Sequence, residues 1–193
     1  HHTTRRQRQM CIRDRNCSFN DGFQLFQLGD IINESGCEEG GFSDFTDLST
    51  ILGLDTSYEL TVTTGYGDQH ISVWIDFNDD FTYSNDELVI NNYVIAPGQG
   101  PGSYTETISF NLPADSPVGV HTLRAKANWN APVPDDSCEE TTYGETEDYT
   151  VEIVESLGIN NLYIDGLIIY PNPIDNQLNL SLIHISEPTR QLA

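Results

Sequence analysis

Basic residues are nearly missing from this chain. Of its 193 residues only 8 are Lys or Arg, against 30 Asp or Glu, for a formal charge of -22. Six of those eight, Arg5, Arg6, Arg8, Arg13, Arg15 and Arg190, lie in the two ends. Between Asn16 and Leu182 only Arg124 and Lys126 stand against 28 acids, the 30 less Asp14 and Glu187. Such a surface repels phosphate backbones and anionic lipid headgroups, which argues against nucleic acid and membrane surfaces as partners. Long hydrophobic runs are also missing, so no segment can insert as a transmembrane helix. No apolar stripe recurs at i, i+3, i+4, i+7 over three turns, which removes amphipathic helices. The chain has no CxxC, GxSxG, HExxH or phosphate loop, and with them go the zinc ribbon, the nucleophile elbow, the zincin and the P-loop. What is present, 37% apolar and 10% aromatic residues, is enough to build a core.

The two ends differ from the interior. Residues 1–15 have no apolar signal-peptide region and no strand or helix period, and residues 183–193 are equally featureless. The stretches MCIRDR and LIHISEPTR resemble translated sequencing-adapter sequence, so both ends are set aside as non-native. From Phe23 the interior alternates as Phe-Gln-Leu-Phe-Gln-Leu. Further β-rich runs follow at Tyr58–Thr64, Ile71–Phe77, Leu88–Ile95, Tyr104–Leu112, Gly119–Trp129 and Asp148–Val154, separated by turn signals such as Gly65-Tyr66-Gly67-Asp68 and Pro97-Gly98. About seven short strands suit an all-β, antiparallel two-sheet sandwich of immunoglobulin-like or jelly-roll type, with a closed barrel as the alternative. Parity places Ile71, Val73, Ile75 and Phe77 on one face and Ser72, Trp74 and Asp76 on the other. Residues 16–154 form this domain, 155–166 a linker, and 167–182 a short strand-like appendage too small for a core of its own.

Three constellations carry chemistry. Asp76, Asn78, Asp80, Thr82 (through its carbonyl), Ser84 and Glu87 fall at positions 1, 3, 5, 7, 9 and 12 of a calcium loop, with Asp86 nearby. Phe81 stands where an EF-hand requires Gly and no helix flanks the loop, so the expectation is a calcium-binding turn leaving a strand. Its alternative is a solvated acidic hairpin tip. Every donor is oxygen, which favours calcium over zinc. The second constellation is Gly144-Glu145-Thr146-Glu147-Asp148-Tyr149, directly before the last strand. Parity sets Glu145 and Glu147 on one side with Tyr149, where they would cap backbone or couple to the ion rather than act as an acid–base pair. The third is the cysteines. With Cys11 set aside, Cys37 and Cys138 lie in loops at strand ends where a bridge could form, the alternative being free thiols; Cys17 has no evident partner. His70 and His121 are isolated structural histidines. Trp74 and Trp129 either pack in the core or stack on a sugar ring.

Taken together, Phe42-Ser-Asp44-Phe-Thr46, Val73-Trp74-Ile75-Asp76-Phe77-Asn78, Gly119 to Ala125 and Gly144 to Tyr149 resemble the GEVED domain of secreted Bacteroidetes proteins, with Thr146 at the motif's Val position. The resemblance implies an extracellular β-sandwich module and brings no catalytic residues with it. Leu167 to Leu182, with Tyr170-Pro171-Asn172-Pro173 and Leu178-Asn179-Leu180, is similar to the start of a type A C-terminal sorting domain, which implies the type IX secretion machinery as a partner. The functional expectation is a non-catalytic, calcium-stabilised module of a secreted or cell-surface bacterial protein, serving adhesion or glycan or protein binding. Its alternative is an accessory fragment of a secreted hydrolase, such as a metalloprotease, with the catalytic domain upstream.

Overall fold

The computed structural model describes Cys17, residues 21–36 and residues 40–155. Nine strands run through these residues: β1 (Phe23–Leu28), β2 (Ile31–Asn33), β3 (Phe42–Gly53), β4 (Thr56–Tyr66), β5 (Gln69–Ile75), β6 (Leu88–Ile95), β7 (Pro101–Leu112), β8 (Gly119–Trp129) and β9 (Gly144–Val154). A 3-10 turn at Asn85–Glu87 is the one helical element among them. The strands form two sheets, ordered β2-β1-β4-β7 and β3-β9-β8-β5-β6. The chain is therefore the all-β sandwich that its alternation implied.

The core follows strand parity. Phe23, Phe26, Leu28, Leu60, Val62, Ile108 and Phe110 of the smaller sheet face Leu52, Ile71, Val73, Ile75, Leu123, Tyr149, Val151 and Ile153 of the larger. At its centre the Tyr149 ring stacks on Phe26 at 4.4 Å and on Phe45 at 5.8 Å, while Phe23 meets Phe26 edge-on at 6.1 Å. On β5, Ile71, Val73 and Ile75 point into this core with Phe77 packed against it, and Trp74 points the other way.

The outer face of the larger sheet is also covered. Trp74, Tyr83 and Val133 form a second, small apolar cluster with Leu88 against it. Tyr83 comes from the β5–β6 connection and Val133 from the β8–β9 connection, so both loops lie on that face. As a result β8 is buried on both sides from His121 to Asn128. The sheets are joined at one edge by Glu106 of β7, which accepts hydrogen bonds from the Tyr93 hydroxyl at 2.7 Å and the Ala96 amide at 2.7 Å.

Three features depart from the sequence expectation. Strand β3 was not foreseen, because FSDFTDLSTILG interrupts its apolar residues with Ser, Asp and Thr. It is an edge strand, and its register against β9 slips between Asp44 and Ser49, where the Asp44 carboxylate accepts from the Thr46 amide and hydroxyl at 3.1 and 2.7 Å. The β3–β9 pairing is parallel, whereas a wholly antiparallel sandwich was expected. Finally, β2 is only three residues long, too short to show a period.

Truncation at the centre of the core gives a direct test. Phe26 is wholly buried, so Phe26→Ala should lower the unfolding free energy by about 3–5 kcal/mol in urea titrations followed by circular dichroism. A change below about 1 kcal/mol would mean that this ring does not pack as described.

Candidate functional site

Strand β9 opens with the acidic motif, which lies inside the strand and not ahead of it as the sequence suggested. Alternation sends Glu145, Glu147 and Tyr149 toward the core and Thr146 and Asp148 toward the outer face. Glu145, Glu147 and Asp148 are 0%, 0% and 1% exposed. A carboxylate so deeply buried is tolerated only if donors replace its lost water. Glu145 Oε2 accepts the Phe23 amide at 3.0 Å, tying β9 to the start of β1. Glu147 Oε1 accepts from the Ser35 hydroxyl at 2.7 Å and Oε2 from the Tyr149 hydroxyl at 2.6 Å. Asn33 donates to the same tyrosine oxygen at 2.9 Å. Room for the two glutamates comes from β8, whose inward residues opposite them are Ala125 and Ala127.

On the outer face the two interior cations appear. Arg124 sits directly opposite Asp148 and grips it through Nε and Nη2, both at 2.8 Å. Its guanidinium also lies over the Tyr83 ring, 4.5 Å from the centroid. Lys126, 2% exposed, donates to the carbonyls of Ser137 at 3.3 Å and Glu139 at 2.6 Å, pinning the β8–β9 loop to the sheet. Sequence reasoning did not assign these roles. The available signal was that the only two cations of the interior stand at i and i+2 of one strand.

The other candidate is the loop after β5. Asp76 and Glu87 are both buried, and Asn78, Asp80, Thr82, Ser84 and Asp86 are exposed. Asp76 Oδ1 accepts the Asp80 amide at 3.2 Å and Oδ2 the Phe81 amide at 2.9 Å. Glu87 Oε2 accepts the Ser84 amide and hydroxyl at 2.8 and 3.0 Å, and Oε1 the Asn78 amide at 3.4 Å. Asn78 and Asp80 turn onto the amides of Asp80 and Thr82, at 2.9 and 2.7 Å. Burial pushes the Asp76 carboxyl above its ordinary range; the Phe81 amide opposes this and the Glu87 charge adds to it. Thus Asp76 and Glu87 share the buried end of the loop, while the side-chain oxygens of Asn78 and Asp80 serve loop amides. Among the described residues no three His, Cys, Asp or Glu side chains are grouped as a metal site. His121 braces this loop, with Nδ1 at 3.1 Å from the Asp76 carbonyl and Nε2 at 3.2 Å from that of Pro117. Phe81, at the position an EF-hand gives to Gly, has a φ of 64°.

Cys17 and Cys138 are both disulfide-bonded. The expected Cys37–Cys138 pairing falls on Cys37, which lies outside the described residues. The sorting motif Tyr170, Pro171, Asn172 and Pro173 also lies outside them. Trp74 is core, as one reading of it held, whereas Trp129 is only half-buried.

Residues 70–152 match the GEVED domain. No curated protein matches the sequence significantly. Among solved structures, the seventh ScaB type I cohesin from Pseudobacteroides cellulosolvens shares 8% identity, covering 61% of this chain and 94% of that one, at a TM-score of 0.28. The N-terminal domain of PorA shares 11%, covering 68% and 98%, at a TM-score of 0.26. Scores this low carry no inference about ligand or function.

The Gly144–Asp148 segment is accounted for residue by residue. A Cβ on Gly144 would run into the Ala127 carbonyl, so the close approach of β8 and β9 requires glycine there. Glu145 and Glu147 anchor the facing sheet, and Asp148 holds the arginine on the other side. The motif is a buried clamp.

The clamp should be sensitive to pH. Burial pushes the Glu147 carboxyl up to about 7 against the downward pull of its Tyr149 and Ser35 hydrogen bonds. Burial likewise raises the Tyr149 phenol well above its usual value. A carboxyl raised in the folded state holds its proton more tightly there than in the unfolded chain. It therefore contributes stability below its ordinary value near 4.5 that is lost as pH rises through about 7. Urea unfolding at pH 5 and pH 8 should show the wild type losing on the order of 2–3 kcal/mol more than Glu147→Gln over that interval, at roughly 1.4 kcal/mol per pH unit. Equal pH dependence in the two proteins would remove Glu147 as the titrating group.

Proposed function

We propose that this chain is a non-catalytic, calcium-stabilised β-sandwich module of a secreted or cell-surface bacterial protein, presenting loops for adhesion or for binding glycan or protein. The observation that supports the non-catalytic reading is the burial of Glu145, Glu147 and Asp148, each of which commits carboxylate oxygen to a hydrogen bond within the fold. The GEVED match and the two disulfide-bonded cysteines support an oxidising, extracellular setting. Among the described residues no helix is long and apolar enough to cross a membrane. Export through the type IX machinery is proposed on the sequence of residues 167–182 alone.

The calcium reading rests on the Asp76–Glu87 pair. Two buried carboxylates close enough that the Glu87 charge raises the proton affinity of Asp76 form a site that a cation relieves. Asp76 and Glu87 would hold the ion from inside the loop, with the Thr82 carbonyl, Asn78, Asp80 and Asp86 available from its exposed rim. Turning Asn78 and Asp80 inward would break one amide hydrogen bond each, about 1 kcal/mol apiece, less than the relief a dication brings to a buried like-charged pair. Bound calcium would supply positive charge and fix the loop, and no chemistry beyond that.

Thermal unfolding with calcium and with a chelator tests this. Calcium at a hundredfold excess over its dissociation constant should stabilise by about 2.7 kcal/mol, roughly 5–10 °C in Tm for a domain of this size. Asp76→Asn and Glu87→Gln should abolish the shift. A Tm unchanged by chelation would leave the loop an acidic hairpin tip.

A further inference from the structure

We propose that the cleft between the end of β8 and the loop that follows it binds a neutral oligosaccharide, with Trp129 and Tyr143 as the stacking surface. This names a ligand class for the binding-module reading above and rests on it. The cleft measures about 430 Å³, within the roughly 300–1,000 Å³ of small-molecule sites. Trp129 and Tyr143 line it together with Asn128, Asn130, Glu139 and Thr142.

The two tryptophans of this chain have opposite fates. Trp74 is 1% exposed inside the second apolar cluster. Trp129 is half-buried and sits between Tyr66 and Tyr143, with ring centroids 5.8 and 5.7 Å away at 66° and 81°. Tyr143 is 37% exposed. Such edge-to-face contacts hold the rings at steep angles to one another, and both stay partly exposed. Neither the Trp129 indole N–H nor the Tyr143 hydroxyl is engaged in a hydrogen bond with the other described residues, so each keeps its polar handle for a ligand.

The walls are held in place from within the fold. The Trp129 amide donates to the Tyr143 carbonyl at 2.9 Å, and the Asn130 amide to Asp68 at 2.8 Å. The Asn128 side chain donates to the Pro132 carbonyl at 2.9 Å, and buried Lys126 holds the carbonyl of Glu139 at 2.6 Å. A cleft fixed in this way loses little freedom when a ligand enters.

Its chemistry selects the ligand. A pyranose offers an apolar C–H face for an aromatic ring and a rim of hydroxyls that both donate and accept. The Glu139 carboxylate takes donors; the Asn130 side-chain amide and the indole N–H supply them. Anionic ligands are repelled by Glu139, Glu140 and a chain of charge -22. A basic peptide could also fill the cleft, its cations on the carboxylates and its carbonyls on the N–H donors, and is set against the sugar in the test below.

Affinity electrophoresis of the full chain in gels containing neutral polysaccharides of different backbones, followed by calorimetry with oligosaccharides of any that retard it, is the test. At least one should retard the chain. Trp129→Ala and Tyr143→Ala should each weaken binding at least about tenfold. Tyr143, being partly exposed, should do so with its circular dichroism and Tm unchanged. Retardation by no neutral polysaccharide overturns the proposal. Binding that survives both substitutions overturns this cleft and leaves the module a binding protein. Binding of polylysine that depends on Trp129 overturns the sugar in favour of a basic peptide. Release of reducing sugar by a Trp129-dependent complex supports the cleft and overturns the non-catalytic reading.

Discussion

Three carboxylates within four residues of β9 must find donors after leaving water, and the arrangement of the sandwich around them follows from that demand. An unpaired buried carboxylate costs several kcal/mol, and removing one partner from a buried ion pair costs about 3–5 kcal/mol. Glu145 and Glu147 are supplied by Phe23 and Ser35, from β1 and the segment after β2. Asp148 is supplied by Arg124 from the neighbouring strand. The motif thus fastens the two sheets to each other on one side and the outer loops to the larger sheet on the other.

Strand β8 makes this possible by being different on its two faces. Inward it offers Leu123, Ala125 and Ala127, with the alanines leaving volume for the glutamates. Outward it presents Arg124 and Lys126, which hold Asp148, the Tyr83 ring and the Ser137 and Glu139 carbonyls. Both proposed binding features are held through this outer face. The acidic loop after β5 is braced by His121 at one end of β8, and the aromatic cleft by Lys126 and Asn128 toward the other. Rigid β-structure thereby sets the geometry of loops whose own sequences are polar and rich in turn residues.

The charge balance fits the same picture. With 28 acids against 2 cations between Asn16 and Leu182, both cations are spent in the interior and the surface keeps an almost unrelieved negative field. That field disfavours anionic partners. It also makes any site where two carboxylates are buried together, as at Asp76 and Glu87, a place where a cation gains most.

The sequence alone determined the class of the fold and the faces of its strands. Period-two alternation with no helical period left only β-structure, and parity correctly set Ile71, Val73 and Ile75 on one face, Trp74 on the other, and Glu145, Glu147 and Tyr149 together on one side. These are local properties of a pleated chain. Strand β3 escaped because an edge strand with one partner needs little apolar pattern, and its parallel pairing with β9 joins residues about a hundred positions apart. The expected gathering of Asp76, Asn78, Asp80 and Glu87 was a matter of spacing, and spacing cannot say which oxygens will turn onto loop amides instead. Only the tertiary structure decided that Arg124 meets Asp148, that Glu147 meets Ser35, and that Trp129 stays open while Trp74 is sealed. Each of those outcomes depends on which distant segment covers a face, and a covering segment leaves no mark on the strand it covers.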